Sequence, residues 1–75
     1  MKLSEINNSE RFRVLKVTLT REVGKRLSEM GFTRGVEGTV IRSALLGDPI
    51  QVNILNYNVS LRRSETDGIE VERID

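Results

Sequence analysis

The stretch Ala44-Leu-Leu-Gly-Asp-Pro-Ile-Gln-Val-Asn-Ile-Leu-Asn-Tyr-Asn-Val-Ser-Leu-Arg-Arg63 decides the fold. Gly47-Asp48-Pro49 marks a turn, because Pro49 fixes its own φ and pushes Asp48 out of the helical region. Ile50, Val52 and Ile54 then alternate with Gln51 and Asn53, the period of a half-buried strand. Asn56 tolerates the positive φ that a tight hairpin demands. On the return, Tyr57, Val59 and Leu61 point one way and Asn58, Ser60 and Arg62 the other. One hairpin therefore supplies an apolar face and a polar, arginine-bearing face.

Working outward toward the N-terminus, Val36 to Arg42 reads as a strand with Val40 and Ile41 as its apolar centre and Gly38 as its weak point. Thr33-Arg34-Gly35 before it is a turn. From Thr20 to Met30 the period changes. Val23, Leu27 and Met30 fall at i, i+4 and i+7, one helical stripe, with Glu22, Lys25, Arg26 and Glu29 around it. Thr20 is the expected N-cap and Gly31 the expected stop, after which Phe32 folds back onto the core. Gly24 inside the helix costs roughly 1 kcal/mol relative to Ala, so close backbone packing or a helix start near Gly24 is expected. Arg11 to Thr18 is a strand whose apolar residues fall on both faces, which predicts a bulge or two-sided burial. Leu3 to Ile6 is a short lead closed by the turn cluster Asn7-Asn8-Ser9. Toward the C-terminus, Ser64 to Gly68 reads as a single turn, and Ile69, Val71 and Ile74 as a final strand.

These elements predict one domain over residues 1–75, mainly β: a small SH3-like barrel of about five strands with one short helix after the first. The expected core is Phe12, Val14, Leu27, Met30, Phe32, Val40, Ile50, Val52, Ile54, Val59, Leu61, Ile69 and Val71. A chain of this size buries only about 60–65% of its unfolded surface, so stability is expected to be modest.

Composition narrows the chemistry. With no Cys, thiolate metal sites and thiol catalysis are excluded. With no His, the commonest general base and the commonest transition-metal ligand are missing. There is no phosphate-cradling glycine-lysine motif either, so no enzyme and no cofactor are expected. The candidate metal ligands are scattered acids: Asp48, Glu65, Asp67, Glu70 and Glu72. Glu70 and Glu72 read as solvated strand residues, and Asp48 as ordering its own turn through a bond to the backbone. No metal site is expected. Residues 1–63 carry eleven Lys/Arg and six Asp/Glu, a balance of +5; residues 64–75 carry one Arg and five acids, a balance of −4. So small an excess, with three aromatic residues, argues against a nucleic-acid partner. No apolar run approaches the roughly 20 residues of a membrane span, and a cytoplasmic location is the expectation.

Three blocks carry a resemblance over essentially the whole chain. Arg26-Leu27-Ser28-Glu29-Met30-Gly31-Phe32-Thr33-Arg34-Gly35, then Leu46-Gly47-Asp48-Pro49-Ile50, then Tyr57 to Arg63 with Ile69-Glu70-Val71 resemble, in order and spacing, the motifs of the FeoA family. The chain departs from the family pattern at Arg34 (usually Pro), Gly38 (usually apolar) and Asn56 (often Gly). The resemblance implies an SH3-like accessory component of bacterial ferrous iron uptake, linked to transition-metal handling at the family level only. It implies action on FeoB, the membrane permease with a GTP-binding cytosolic domain, and hence contact with the membrane only through the permease. Two alternatives are a free-standing relative of the C-terminal module of iron-dependent repressors and a small nucleic-acid-binding barrel. Edge strands of a partly open barrel can pair, which leaves self-association to a homo-oligomer open. The expected partner-binding residues are Leu45, Leu46, Leu55 and Tyr57, with Arg42, Arg62 and Arg63 flanking them. The competing expectations are that Leu46 caps the barrel mouth, that the arginines pair with the acidic tail, and that Tyr57 is a core-edge residue with its hydroxyl in water.

Overall fold

The computed structural model describes residues 1–75, the Leu45 side chain excepted. Strands β1 (Arg11–Val17), β2 (Glu37–Ser43), β3 (Ile50–Ile54), β4 (Tyr57–Leu61) and β5 (Ile69–Ile74) form one antiparallel sheet in the order β4-β3-β2-β1-β5. Helix α1 (Arg21–Glu29) connects β1 to β2, and the single turn α2 (Arg63–Thr66) connects β4 to β5. The architecture is the expected one, with β4 and β5 as the outer strands.

Alternation builds the sheet. Ile50, Val52 and Ile54 are buried, and so are Val59 and Leu61 directly across from Val52 and Ile50. The hairpin closes through Leu55 (φ 50°) and Asn56 (φ 67°), the paired left-handed residues of a two-residue turn. Asn56 behaves as its chemistry suggests; Leu55 is a residue that rarely accepts this conformation. The predicted bulge of β1 lies between Val14 and Lys16, where the register against β5 shifts. A second shift lies in β2 between Val40 and Arg42, so Ile41 leaves the ladder and is exposed rather than central.

The helix follows its stripe. The Thr20 hydroxyl accepts from the Val23 amide at 3.4 Å, Leu27 is buried, and Gly31 takes φ 106° just past the end. Phe32 is buried and its amide returns to the Leu27 carbonyl. Neither expectation for Gly24 holds. It lies mid-helix, and nothing stands within 4 Å of where its Cβ would be. Met30, expected in the core, is half-buried at the rim because the helix ends there.

Two corrections concern packing. Leu3 and Ile6 belong to the core, carried in by a 3₁₀ turn at Leu3–Glu5. Beyond them, Met1 lies along the outer edge of β5 and exchanges bonds with Val71 in both directions, at 2.7 and 3.1 Å. Gly38 is not a weak point. A Cβ there would lie 2.6 Å from the Asn53 carbonyl oxygen and 2.8 Å from both Phe12 Cζ and Ile54 Cγ2. The missing side chain is the space that the Phe12 ring fills.

Candidate interaction surface

The predicted contact residues fall at the two ends of β3. Leu55 and Tyr57 sit at the hairpin turn. Leu46 and the arginines Arg42, Arg62 and Arg63 sit at the opposite end, five strand residues or roughly 17 Å away. Strand β3 runs between β2 and β4, so Arg42 and Arg62 are separated by one intervening strand. Leu45, also predicted, has its side chain outside the described residues.

At the hairpin end, Leu55 is 61% exposed, but its δ-methyl packs over Gly31, 2.5 Å from where a Cβ there would stand. Tyr57 is held rather than free. Its hydroxyl donates to the Met30 carbonyl, one of the acceptors that the end of α1 leaves without an intrahelical partner. The expectation of a hydroxyl in water is therefore corrected: the ring is a strut between β4 and α1.

Among the described residues, the other end carries the most exposed large apolar side chain. Leu46 is 91% exposed and has φ 67°. Burial cannot hold a leucine in that conformation here, and the flanking contacts must. Gly47 (φ 76°) leaves room for Arg63, whose Nη1 lies 2.5 Å from where a Gly47 Cβ would stand. The Asp48 carboxylate accepts from the Arg63 amide at 3.0 Å, so Asp48 joins its loop to the start of α2 rather than ordering its own turn. The Leu46 tip is thus braced through Arg63 on one side and closed by the Gly47 amide, which donates to the Ala44 carbonyl at 2.8 Å.

The charged groups divide sharply. Arg11 and Arg13 bond Glu37 at 2.9 and 3.0 Å, Arg13 also bonds Glu72 at 2.5 Å, and Arg73 pairs with Glu10 at 3.3 Å. Hydrogen bonds to Glu72 and then Glu37 hold the Arg13 guanidinium above its already high ordinary pKa. Glu65 is buried, accepts the Arg62 amide at 3.0 Å and forms an ion pair with Arg26, which ties α2 to α1. Sequence reading placed Glu65 among the scattered acids; nothing in its spacing reveals a partner 39 residues away. Glu72, expected to be solvated, is in the Arg13 pair, while Glu70 is exposed. Among the described residues, Arg42, Arg62 and Arg63 form no ion pair. Also among the described residues, no group of three or more acids gathers as a metal would require, and no helix is long and apolar enough to cross a membrane.

A protein-family model described as the FeoA domain matches residues 1–73. The chain belongs to the FeoA domain family. A Porphyromonas gingivalis protein named as a fusion of Fe(2+) transport protein A and the Fe(2+) transporter FeoB is 42% identical over 74 residues, 99% of this chain. The chain spans only 9% of that protein's length. The solution structure of FeoA from Chlorobium tepidum is 40% identical, with a TM-score of 0.94 over all of this chain and 71% of that one. A Stenotrophomonas maltophilia FeoA complexed with zinc, described as a procaryotic SH3 domain protein, is 28% identical, with a TM-score of 0.85 over 96% of this chain and 89% of that one. The fold is therefore SH3-like, and the family is one of ferrous iron transport.

Proposed function

We propose that this FeoA chain docks on the cytosolic GTP-binding part of a FeoB-type permease and tunes its transport without catalysing a reaction itself. The observation that carries this reading is the fusion: in the P. gingivalis relative, a segment 42% identical to this chain is covalently joined to the transporter. A small SH3-like domain with neither imidazole nor thiol acts by binding one state of its partner more tightly than another.

Leu46 is the first anchor in this reading, because it presents a whole leucine side chain on a braced loop. Leu55 and Tyr57 are secondary, since each already serves a contact within the fold. The test is a calorimetric titration of the chain into the cognate permease's cytosolic domain, in GDP and GTP-analogue states, and into the full-length permease. Binding that differs between nucleotide states, weakened about tenfold by Leu46→Ser, is the expected result. No binding in any of the three preparations overturns the proposal.

A further inference from the structure

Toward its Arg42 end, the outward face of β2, β3 and β4 carries two arginines, Arg42 and Arg62, that form no ion pair among the described residues. Two cross-strand rows make up the face. Thr39, Asn53 and Asn58 lie opposite one another in one row, and Arg42, Gln51 and Ser60 in the next. Arg62 follows Ser60 by two residues with extended backbone (φ −68°, ψ 146°), so it continues the same side of β4. Glu37, at the far end of β2, is held by Arg11 and Arg13, and Asp48 is bonded to the Arg63 amide. Among the described residues no other carboxylate stands on these three strands.

The rows border a cleft of about 290 Å³, lined by Arg42, Ser43, Ala44, Pro49, Gln51 and Ser60. Arg42 spends one donor: its Nε bonds the Gln51 side-chain oxygen at 3.2 Å. That bond orients the guanidinium across the sheet and leaves the paired Nη groups to present a fork to a planar anion. Arg42 and Ser60 are two strand spacings apart, roughly 10 Å, and Arg62 lies one row further on. An extended peptide carries side chains of like orientation roughly 7 Å apart, a spacing that two flexible arginine stems can bridge.

We propose that this face seats an extended acidic segment of a partner protein, with its carboxylates on Arg42 and Arg62 and its backbone over Gln51 and Ser60. Charge complementarity selects the occupant. Elsewhere on the sheet Arg11, Arg13 and Arg73 each meet a glutamate of the same chain, and here the glutamates must come from outside. A nucleic acid fits less well, because the face offers no aromatic ring for a base to stack on. The inference goes beyond permease docking and stands whichever protein supplies the segment.

The test is an amide and arginine Nε–H chemical-shift titration of the labelled full chain with capped tetraglutamate, capped tetraglutamine and inorganic phosphate as separate probes. Tetraglutamate should move Arg42, Gln51, Ser60 and Arg62 together, with an affinity that falls as salt is added. Arg42→Gln with Arg62→Gln should lower that affinity at least tenfold, while Arg11→Gln leaves it unchanged. Well-dispersed spectra of the double variant establish that it is folded. The proposal is overturned by the absence of any shift at millimolar peptide, by shifts centred on Arg11 and Arg13, or by tetraglutamine or phosphate reproducing the tetraglutamate pattern at equal affinity.

Discussion

One sheet carries two kinds of outer surface. Across β1 and β5, Arg11, Arg13 and Arg73 are matched by Glu37, Glu72 and Glu10. Across β2, β3 and β4, the arginines face amides and hydroxyls: Arg42 beside Gln51 and Ser60, and Arg62 beyond them. Both halves bury the same kind of apolar inner face. The difference teaches that charge pairing here is a local decision of each cross-strand register, whether the acid comes from the tail, as Glu72 does, or from the body. Glu37, which matches two arginines, belongs to the body itself.

The comparison breaks most completely at the seam between the halves. Gly38 joins β2 to both β1 and β3, facing Phe12 and Ile54. Gly38→Val should cost about 3 kcal/mol or more, because the Asn53 backbone cannot retreat from a new Cβ. Urea denaturation measures it; a loss below about 1 kcal/mol would show the seam to be soft.

Arg26→Ala sets the scale for a matched pair with one partner buried. It strands the buried Glu65 carboxylate and should cost about 1–2 kcal/mol by the same assay, with Glu65→Gln in the Arg26→Ala background recovering part of it. Gly24→Ala lies outside both halves and should raise stability by roughly 0.5–1 kcal/mol, since the site is open and helical. It supplies a sturdier background in which small differences among arginine variants can be measured.

The smallest effects probe the two surfaces directly. Arg13→Ala should lower the melting temperature slightly at low salt and hardly at all in high salt, because its partners are solvent-exposed. Arg42→Ala should leave the melting temperature unchanged at either salt concentration. Because Arg13's proton is held more tightly in the fold, its contribution is complete below its unfolded pKa and is lost only as pH rises through the higher folded value. Melting curves from neutral pH to pH 10 should therefore show no loss attributable to Arg13.

The hairpin, its turn and the apolar inner face were legible because period-2 alternation and Asn56 carry their structure locally. The helix was equally legible from Thr20, the Val23–Leu27–Met30 stripe and Gly31. What escaped was non-local. Leu3 and Ile6 are too few to show a period, and Gly38 reads as weakness until the Phe12 ring is found beside it. Ile41 was misplaced because it follows the buried Val40 and so falls on the outer face, and the one-residue bulge after Val40 then turns Arg42 outward as well. At the candidate surface, the residue types were legible and the grouping was not. The strand order that sets Arg42 and Ser60 about one cleft with Arg62 a row beyond, and Leu55 far from Leu46, depends on pairings that no single segment encodes.

The Tyr57 strut has a practical consequence. The chain has one tyrosine and no tryptophan, so its ultraviolet emission comes from the one phenol that grips the end of α1. A phenol that loses its carbonyl acceptor changes its brightness. The unlabelled molecule therefore contains its own optical gauge of whether the helix stays seated when a partner arrives.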